Sequence, residues 1–215
     1  MRAVLSSACN VMLELMEAGM LFDEALEVAR DRDLTEPDPE LDTSGWDTSQ
    51  KIKLLLTRAT GRRYVGHDLF TLGLESIDPE LPRKANELDL RIKLVALAKL
   101  SGNTLTATVR PMAVRSESHM GLVRGVNNAV VIYTTDGDEM VYSGTGGGPL
   151  PVATAVLNDL VGLFDTEHSW TGRFPPVAQP LGPPQFDEWL AERDGVLRIV
   201  ADEVQGAVPV LPVLG

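Results

Sequence analysis

The chain has 215 residues and a formal net charge of −12 at pH 7, with a sequence pI of about 4.6. Such an acidic surface repels phosphate backbones, so nucleic acid is not an expected partner. No apolar run approaches the ~20 residues that a membrane-spanning helix needs, and the single cysteine, Cys9, cannot form an intrachain disulfide. These features favour a globular, cytoplasmic protein with no membrane partner.

The first part of the chain is predicted to be helical. Apolar spacing and end signals predict three helices, over Leu5–Ala18, Phe22–Arg30 and Thr48–Arg58. Gly19 is typical of a helix end, and Asp47 is predicted to cap the third helix, which ends near Gly61. The segment between the second and third helices is acidic and contains two prolines, which predicts a loop.

The middle of the chain is predicted to form strands. Alternating apolar residues between turn signals predict four of them, over Ile92–Leu97, Leu105–Val109, Val126–Thr135 and Glu139–Ser143. Asp136-Gly137 is a strong hairpin signal between the last two. Shorter helices are predicted at Pro79–Leu88 and Val152–Leu163. The pattern predicts an α+β fold with a mostly antiparallel sheet and helices packed on one face.

The C-terminal segment differs in composition from the rest. We expect a main domain over residues 1–170 and a Pro-rich C-terminal arm over residues 171–215. The arm contains an amphipathic stretch at Phe186–Arg193 and an apolar run at Val208–Leu214. We expect it to pack on the body as an extended segment or an edge strand.

The acidic loop and the helix after it contain the residues that could carry chemistry. Several carboxylates precede one lysine, Lys51, within the segment, and four of them are candidate site residues: Glu36, Asp38, Asp42 and Asp47. Because Asp47 and Lys51 are four residues apart on one helix, they share a face. A lysine among carboxylates could exchange a proton with a substrate hydroxyl or carbonyl, and the carboxylates could hold an ammonium group. An N-cap, an ion pair and a solvated acidic loop would give the same pattern.

No metal site is expected. The carboxylates do not follow the alternating spacing of a calcium-binding EF-hand, and no glycine lies at its turn position. The three histidines, His67, His119 and His168, lie far apart without metal-ligand spacing.

The segment from Ala29 to Lys51 resembles the signature of the homoserine dehydrogenase family. The family's acidic, Asp-Pro, glycine and lysine positions are matched at the expected offsets by Glu36, Asp38-Pro39, Asp42, Gly45, Asp47 and Lys51. Two further segments resemble the family, Gly125–Ala129 as its Gly-x-x-Asn-Ala motif and Gly144–Gly148 as its Gly-rich loop. The resemblance covers about Val4 to Phe164 and implies the substrate-binding and dimerisation domain.

This resemblance implies roles for individual residues. Lys51 would transfer the proton as a hydroxyl becomes an aldehyde, and Asp42 would support it. Glu36 and Asp47 would hold and orient the amino-acid substrate. Ser7, Ala8 and Leu34 occupy further substrate-contact positions but differ from the family's usual glycine, threonine and tyrosine. The reaction would interconvert homoserine and aspartate semialdehyde with NAD(P), and the sheet would form a homodimer.

The nucleotide-binding part of the family is not found in this sequence. No Gly-x-Gly-x-x-Gly opens the chain, and the family's second active-site lysine belongs to that part. Gly146 and Gly147 would contact NAD(P) only with a separate nucleotide-binding domain in trans; a plain tight turn is the alternative. We do not expect hydride transfer from this chain alone, because it needs a bound, oriented nicotinamide.

Three functions therefore stay open at the level of sequence. In the first hypothesis, the chain is a catalytic domain that acts as a fragment or split half of a homoserine dehydrogenase. Alternatively, it is a non-redox enzyme that uses the pocket of Glu36, Asp42, Asp47 and Lys51 on a small amino-acid-like substrate. In the third hypothesis, the chain is a non-catalytic, dimerising relative that regulates a full-length enzyme.

Overall fold

A computed structural model describes residues 1–64, 69–164, 181–193, 196–201, 203 and 207–211. It contains six α-helices within these residues: α1 (Ser7–Glu17), α2 (Phe22–Asp31), α3 (Glu40–Thr43), α4 (Trp46–Thr60), α5 (Leu81–Asn86) and α6 (Pro149–Phe164). Among the described residues, no helix is long and apolar enough to cross a membrane.

A six-stranded sheet forms the centre of the fold. Its strands are β1 (Arg2–Val4), β2 (Phe70–Thr71), β3 (Leu90–Ser101), β4 (Thr104–Arg115), β5 (Asn127–Tyr133) and β6 (Glu139–Thr145). Their order across the sheet is β2-β4-β3-β1-β5-β6. All neighbours are antiparallel except β2 and β4. The short β1 therefore joins the two long hairpins and places the start of α1 beside both.

Helices α1, α2, α4 and α5 pack on one face of this sheet, because the strands alternate apolar side chains between two faces. Leu94 and Ala96 of β3 belong to a core cluster shared with Met12 of α1 and Ile52 of α4. Their neighbour Val95 belongs to a second cluster, with residues of the β4–β5 connection and of the C-terminal segment. The predicted α+β fold with helices on one face of a mostly antiparallel sheet is confirmed.

The C-terminal segment forms a second, three-stranded sheet that the sequence did not predict. Its strands are β7 (Trp189–Arg193), β8 (Val196–Val200) and β9 (Val208–Pro209), in the order β8-β7-β9. Val210 bridges Ala113 of β4, and Leu190 is fully buried in the main core. The segment thus packs on the body. The predicted boundary at residue 170, and most of the Pro-rich stretch, lie outside the described residues.

The acidic segment is more structured than expected. It contains the short helix α3, and α4 begins at Trp46 rather than Thr48. The predicted cap at Asp47 is wrong: Gly45 is the N-cap, with a φ of 79°, and Asp47 lies within the first turn of α4. A β-carbon at position 45 would also press on Thr71 and Val109, so glycine allows the tight turn from α3 into α4.

Candidate functional site

The first turns of α4 hold the charged pair that the sequence predicts. The Lys51 Nζ lies 2.6 Å from the Asp47 Oδ2, and the side chains are 45% and 28% exposed, respectively. Their spacing of four residues places both on one face of the helix. Because the pair is partly open to solvent, a ligand can reach the ammonium group.

The junction between β1 and α1 anchors Lys51 from the other side. The Lys51 Nζ donates a hydrogen bond to the backbone carbonyl oxygen of Leu5, at 3.2 Å. The side-chain amide of Asn128, on β5, donates to the same oxygen at 3.3 Å. The ammonium therefore lies where α4, the start of α1 and β5 meet. Sequence reasoning assigned no role to Asn128, although it lies in the Gly-x-x-Asn-Ala segment.

The Gly-rich loop after β6 closes against this junction. A β-carbon on Gly146 would overlap the side-chain amide of Asn128. A β-carbon on Gly147 would lie 3.1 Å from the Ser7 Oγ and 3.5 Å from a methyl group of Leu34. The Ser7 Oγ donates to the carbonyl oxygen of Val126 at 2.8 Å. The structure thus brings Ser7, Leu34 and Gly147 together.

Asp42 lies at the acidic centre of the site. It is buried at the end of α3, and its Oδ2 accepts a hydrogen bond from the backbone N–H of Glu36 at 2.9 Å. Burial raises the pKa of Asp42; the Glu36 N–H opposes this rise, the charges of Asp47 and Glu36 add to it, and the charge of Lys51 opposes it. Four predicted site residues therefore act on one another electrostatically.

Glu36 is exposed to solvent, whereas Ala8 is buried. The Glu36 side chain is exposed at the rim, where a solvated carboxylate can meet an incoming cation. Ala8 lies in the first turn of α1 and is 1% exposed.

Among the described residues, no group of three or more His, Cys, Asp and Glu side chains could hold a metal ion.

The only cysteine lies directly beneath the site but is not suited to react. The Cys9 Sγ donates to the backbone carbonyl oxygen of Asp42 at 3.3 Å. Burial raises the pKa of the Cys9 thiol to about 12, and the charges of Asp42, Asp47 and Glu75 add to the rise. Because the thiolate is the reactive form, this thiol is a packing group.

A second lysine, Lys93 on β3, is buried behind α1 and was not singled out from the sequence. It is 1% exposed, and its Nζ donates to the Asn10 Oδ1 at 2.5 Å and to the carbonyl oxygen of Val123 at 2.7 Å. The Glu14 carboxylate lies 3.6 Å away. Asn10 in turn donates to the carbonyl oxygen of Gly125 at 2.7 Å. This network fixes the segment leading to Asn128 against α1.

Comparison with known proteins identifies this arrangement. A family profile described as homoserine dehydrogenase matches residues 1–161. The homoserine dehydrogenase of Methanocaldococcus jannaschii is 32% identical over 166 residues, which cover 77% of this chain and 48% of that protein. That of Sulfurisphaera tokodaii is 34% identical over 160 residues, 74% of this chain and 48% of that protein. The chain thus spans about half the length of these curated relatives.

Solved structures give the same result. A homoserine dehydrogenase from Thiobacillus denitrificans matches with a TM-score of 0.73 and 27% identity, over 85% of this chain and 44% of that one. A hyperthermophilic archaeal homoserine dehydrogenase in complex with NADPH matches with a TM-score of 0.59 and 28% identity, over 74% and 45%, respectively.

Proposed function

We propose that this chain, which belongs to the homoserine dehydrogenase family, is the substrate-binding part of an oxidoreductase for a small amino acid. By family resemblance the pair is homoserine and aspartate semialdehyde. The observation that carries the proposal is the position of Lys51, whose ammonium is held at 2.6 Å by Asp47 and at 3.2 Å by the Leu5 carbonyl, beside a buried carboxylate.

Lys51 is the proton-transfer group of this proposal. When the aldehyde is reduced, the ammonium donates a proton to the carbonyl oxygen as it becomes a hydroxyl. In the opposite direction the neutral amine accepts the hydroxyl proton. Asp47 and the Leu5 carbonyl restrict the orientation of the Lys51 Nζ, so a proton moves to or from a fixed point.

The carboxylates of the site hold the substrate's ammonium group. Glu36 is exposed at the rim, and Asp47 is shared with Lys51. An ammonium ion bound between them would partly neutralise the acidic cluster, which lowers the energetic cost of keeping Asp42 ionised. An amino acid thus meets charges of both signs in this site.

The described residues do not by themselves fit a dinucleotide. Gly146 packs against Asn128, and Gly147 faces Ser7 and Leu34, so protein side chains occupy the space beside these two glycines where a phosphate would have to lie. A reduced nicotinamide would supply the hydride. In this proposal NAD(P) is held by a nucleotide-binding domain, either joined to this chain or present as a separate polypeptide.

The surface of α6 is where we place that domain. No residue of this 16-residue helix is buried, and six of its leucine, valine and phenylalanine side chains are at least 56% exposed: Leu150, Val152, Leu157, Val161, Leu163 and Phe164. Exposed apolar surface of this extent is typical of an interface. The relatives have about as much chain again as the matched part, which is enough for such a domain.

A homodimer is also part of the proposal. β6 is an edge strand of the main sheet, and Met140, Val141 and Tyr142 on it are 40–60% exposed. An exposed edge with apolar side chains can pair with a second copy of the same strand. Sedimentation of the chain at several concentrations would test this.

Binding of L-homoserine to the purified chain tests the substrate role. We expect calorimetry to show binding that Lys51→Ala and Asp47→Asn weaken and that Lys99→Ala, an exposed lysine at the end of β3, leaves unchanged. Addition of the nucleotide-binding half of the M. jannaschii enzyme with NADPH should then give reduction of aspartate semialdehyde.

Other outcomes favour the other two functions. If no homoserine binds, with or without that added half, the substrate role proposed here is wrong. A Lys51-dependent activity on another amino acid would indicate a non-redox enzyme. Stable association with a full-length homologue, without any ligand binding, would indicate a regulatory relative.

A further inference from the structure

A cavity lies beside the first turns of α4. Its volume is about 340 Å³, and it lies between α4, the end of the α3–α4 turn and the segment around β2. Its walls include Ser44, Trp46, Ser49, Lys53, Thr71 and Glu75. A volume of this size is at the lower end of the range for small-molecule sites, roughly 300–1,000 Å³.

This cavity is separate from the site that contains Lys51. Successive residues of a helix turn by about 100°, so Lys53 lies about 200° around α4 from Lys51. Trp46 and Ser49 share the side of Lys53, because three- and four-residue spacings place side chains on one face. None of the residues with a proposed role in homoserine binding lines the cavity.

The walls present charges of both signs, one buried and one exposed. Lys53 is 6% exposed, whereas Trp46 is 42% exposed and Glu75 is also exposed. Lys53 therefore belongs to the buried wall of the cavity, and Glu75 and Trp46 belong to its exposed walls. An ammonium group has three donor hydrogens, so Lys53 can bind a ligand oxygen in addition to protein contacts.

The remaining walls are hydroxyl and apolar groups. The Ser49 Oγ donates to the carbonyl oxygen of Trp46 at 2.7 Å and accepts from the side-chain amide of Gln50 at 3.3 Å, which leaves one lone pair as a further acceptor. Thr71 adds a hydroxyl, whereas Leu69 and the face of Trp46 add apolar surface. These groups suit a ligand with one positive end, one negative end and an apolar side chain.

We propose that this cavity is a second small-molecule site that binds a zwitterionic amino acid with an apolar side chain. Its carboxylate pairs with Lys53 on the buried wall and its ammonium pairs with Glu75 on the exposed side. The apolar side chain packs on Trp46 and Leu69. Because Trp46 immediately precedes Asp47, an occupant contacts the first turn of the helix that carries the Asp47–Lys51 pair.

The test is calorimetric titration of the full chain with L-leucine, L-methionine and L-phenylalanine, each to about 10 mM, which detects dissociation constants near 1 mM. We expect at least one to bind. Its analogues that lack one charge, such as 4-methylpentanoate and 3-methylbutylamine for leucine, should bind at least about tenfold more weakly, because each loses a charge-assisted contact. The tryptophan fluorescence of the chain should change on binding, because Trp46 lines the cavity.

Variants separate this site from the first. Glu75→Gln, a change at an exposed residue, should weaken binding about tenfold, as should Lys53→Gln if that variant folds. Lys51→Ala should leave it unchanged while weakening homoserine binding. The proposal is overturned if none of the three amino acids binds, or if an analogue that lacks one of the two charges binds as tightly as the amino acid. It is also overturned if Glu75→Gln leaves the affinity unchanged.

Discussion

Two lysines contact the N-terminal part of the chain, Lys51 just before α1 and Lys93 on α1 itself, and their environments differ in nearly every respect. The Lys51 side chain is 45% exposed and has one carboxylate and one carbonyl partner. Lys93 is 1% exposed and is surrounded by an amide and a carboxylate of α1 and by a carbonyl of the β4–β5 connection. An accessible ammonium can meet a substrate, whereas a fully enclosed one can only hold structure together. The position of a charge, and not its type, separates the two roles.

The largest expected difference between the two lysines is in the rate of the catalysed reaction. Lys51→Ala should lower the rate of aspartate semialdehyde reduction, measured with an added nucleotide-binding half, by roughly 10²–10⁴-fold because the proton donor is lost. The free energy of unfolding of the Lys51→Ala variant should differ from that of the wild type by less than about 0.5 kcal/mol, since exposed ion pairs contribute little. A full rate in this variant would remove Lys51 from the proton-transfer role.

The reverse pattern is expected for the buried lysine. Lys93→Met should lower the free energy of unfolding by about 3 kcal/mol, because Asn10 and the Val123 carbonyl lose a charged donor in the interior. Urea denaturation followed by circular dichroism measures this. Lys99→Met, on the same strand but exposed, is the matched control and should be near neutral. If both variants are equally stable, the network around Lys93 is not structural.

Lys93 should also make the free energy of unfolding depend on pH in the alkaline range. Burial lowers the pKa of Lys93 from the ordinary value of 10.5 to about 8. Between these values the unfolded chain binds the proton more strongly than the folded chain, so the contribution of Lys93 to stability rises with pH. The slope is below about 1.4 kcal/mol per pH unit. The difference in unfolding free energy between wild type and Lys93→Met, measured from pH 7.5 to 9.5, should grow; a constant difference would contradict this.

A smaller effect is expected at the Gly-rich loop. Gly146→Ala places a methyl group on the Asn128 amide, which must move and lose its bond to the Leu5 carbonyl. We expect a cost of about 1 kcal/mol in unfolding free energy and weaker homoserine binding. Gly144→Ala is the control, because its β-carbon meets nothing within 4 Å. Equal behaviour of both variants would mean that Asn128 does not position the site.

Local patterns in the sequence predicted the parts of the molecule that depend on neighbours in the chain. Asp47 and Lys51 meet because helical spacing brings them together, and the Asp136-Gly137 turn joins β5 to β6 as expected. The helix start at Gly45 was missed because local spacing shows neither its left-handed backbone nor the closeness of Thr71 and Val109, which lie far along the chain.

Long-range relations could not be predicted in the same way. A lysine at position 93, within a strand of alternating residues, resembles any solvent-facing strand residue, and only the packing of α1 and the β4–β5 connection encloses it. The Leu5 carbonyl is a partner of Lys51 across 46 positions, and a backbone atom leaves no trace in residue identity. β1, with three residues, is too short for a period to be recognised.

The carbonyl at Leu5 has a consequence for how this site can change over evolutionary time. Because the acceptor belongs to the backbone, replacing the side chain at position 5 does not remove it, and a lineage can vary that residue while it keeps its lysine anchored. An insertion or deletion between β1 and α1 would instead shift the oxygen relative to both Lys51 and Asn128. The site should therefore tolerate drift in the identity of residue 5 but not in the number of residues at that junction.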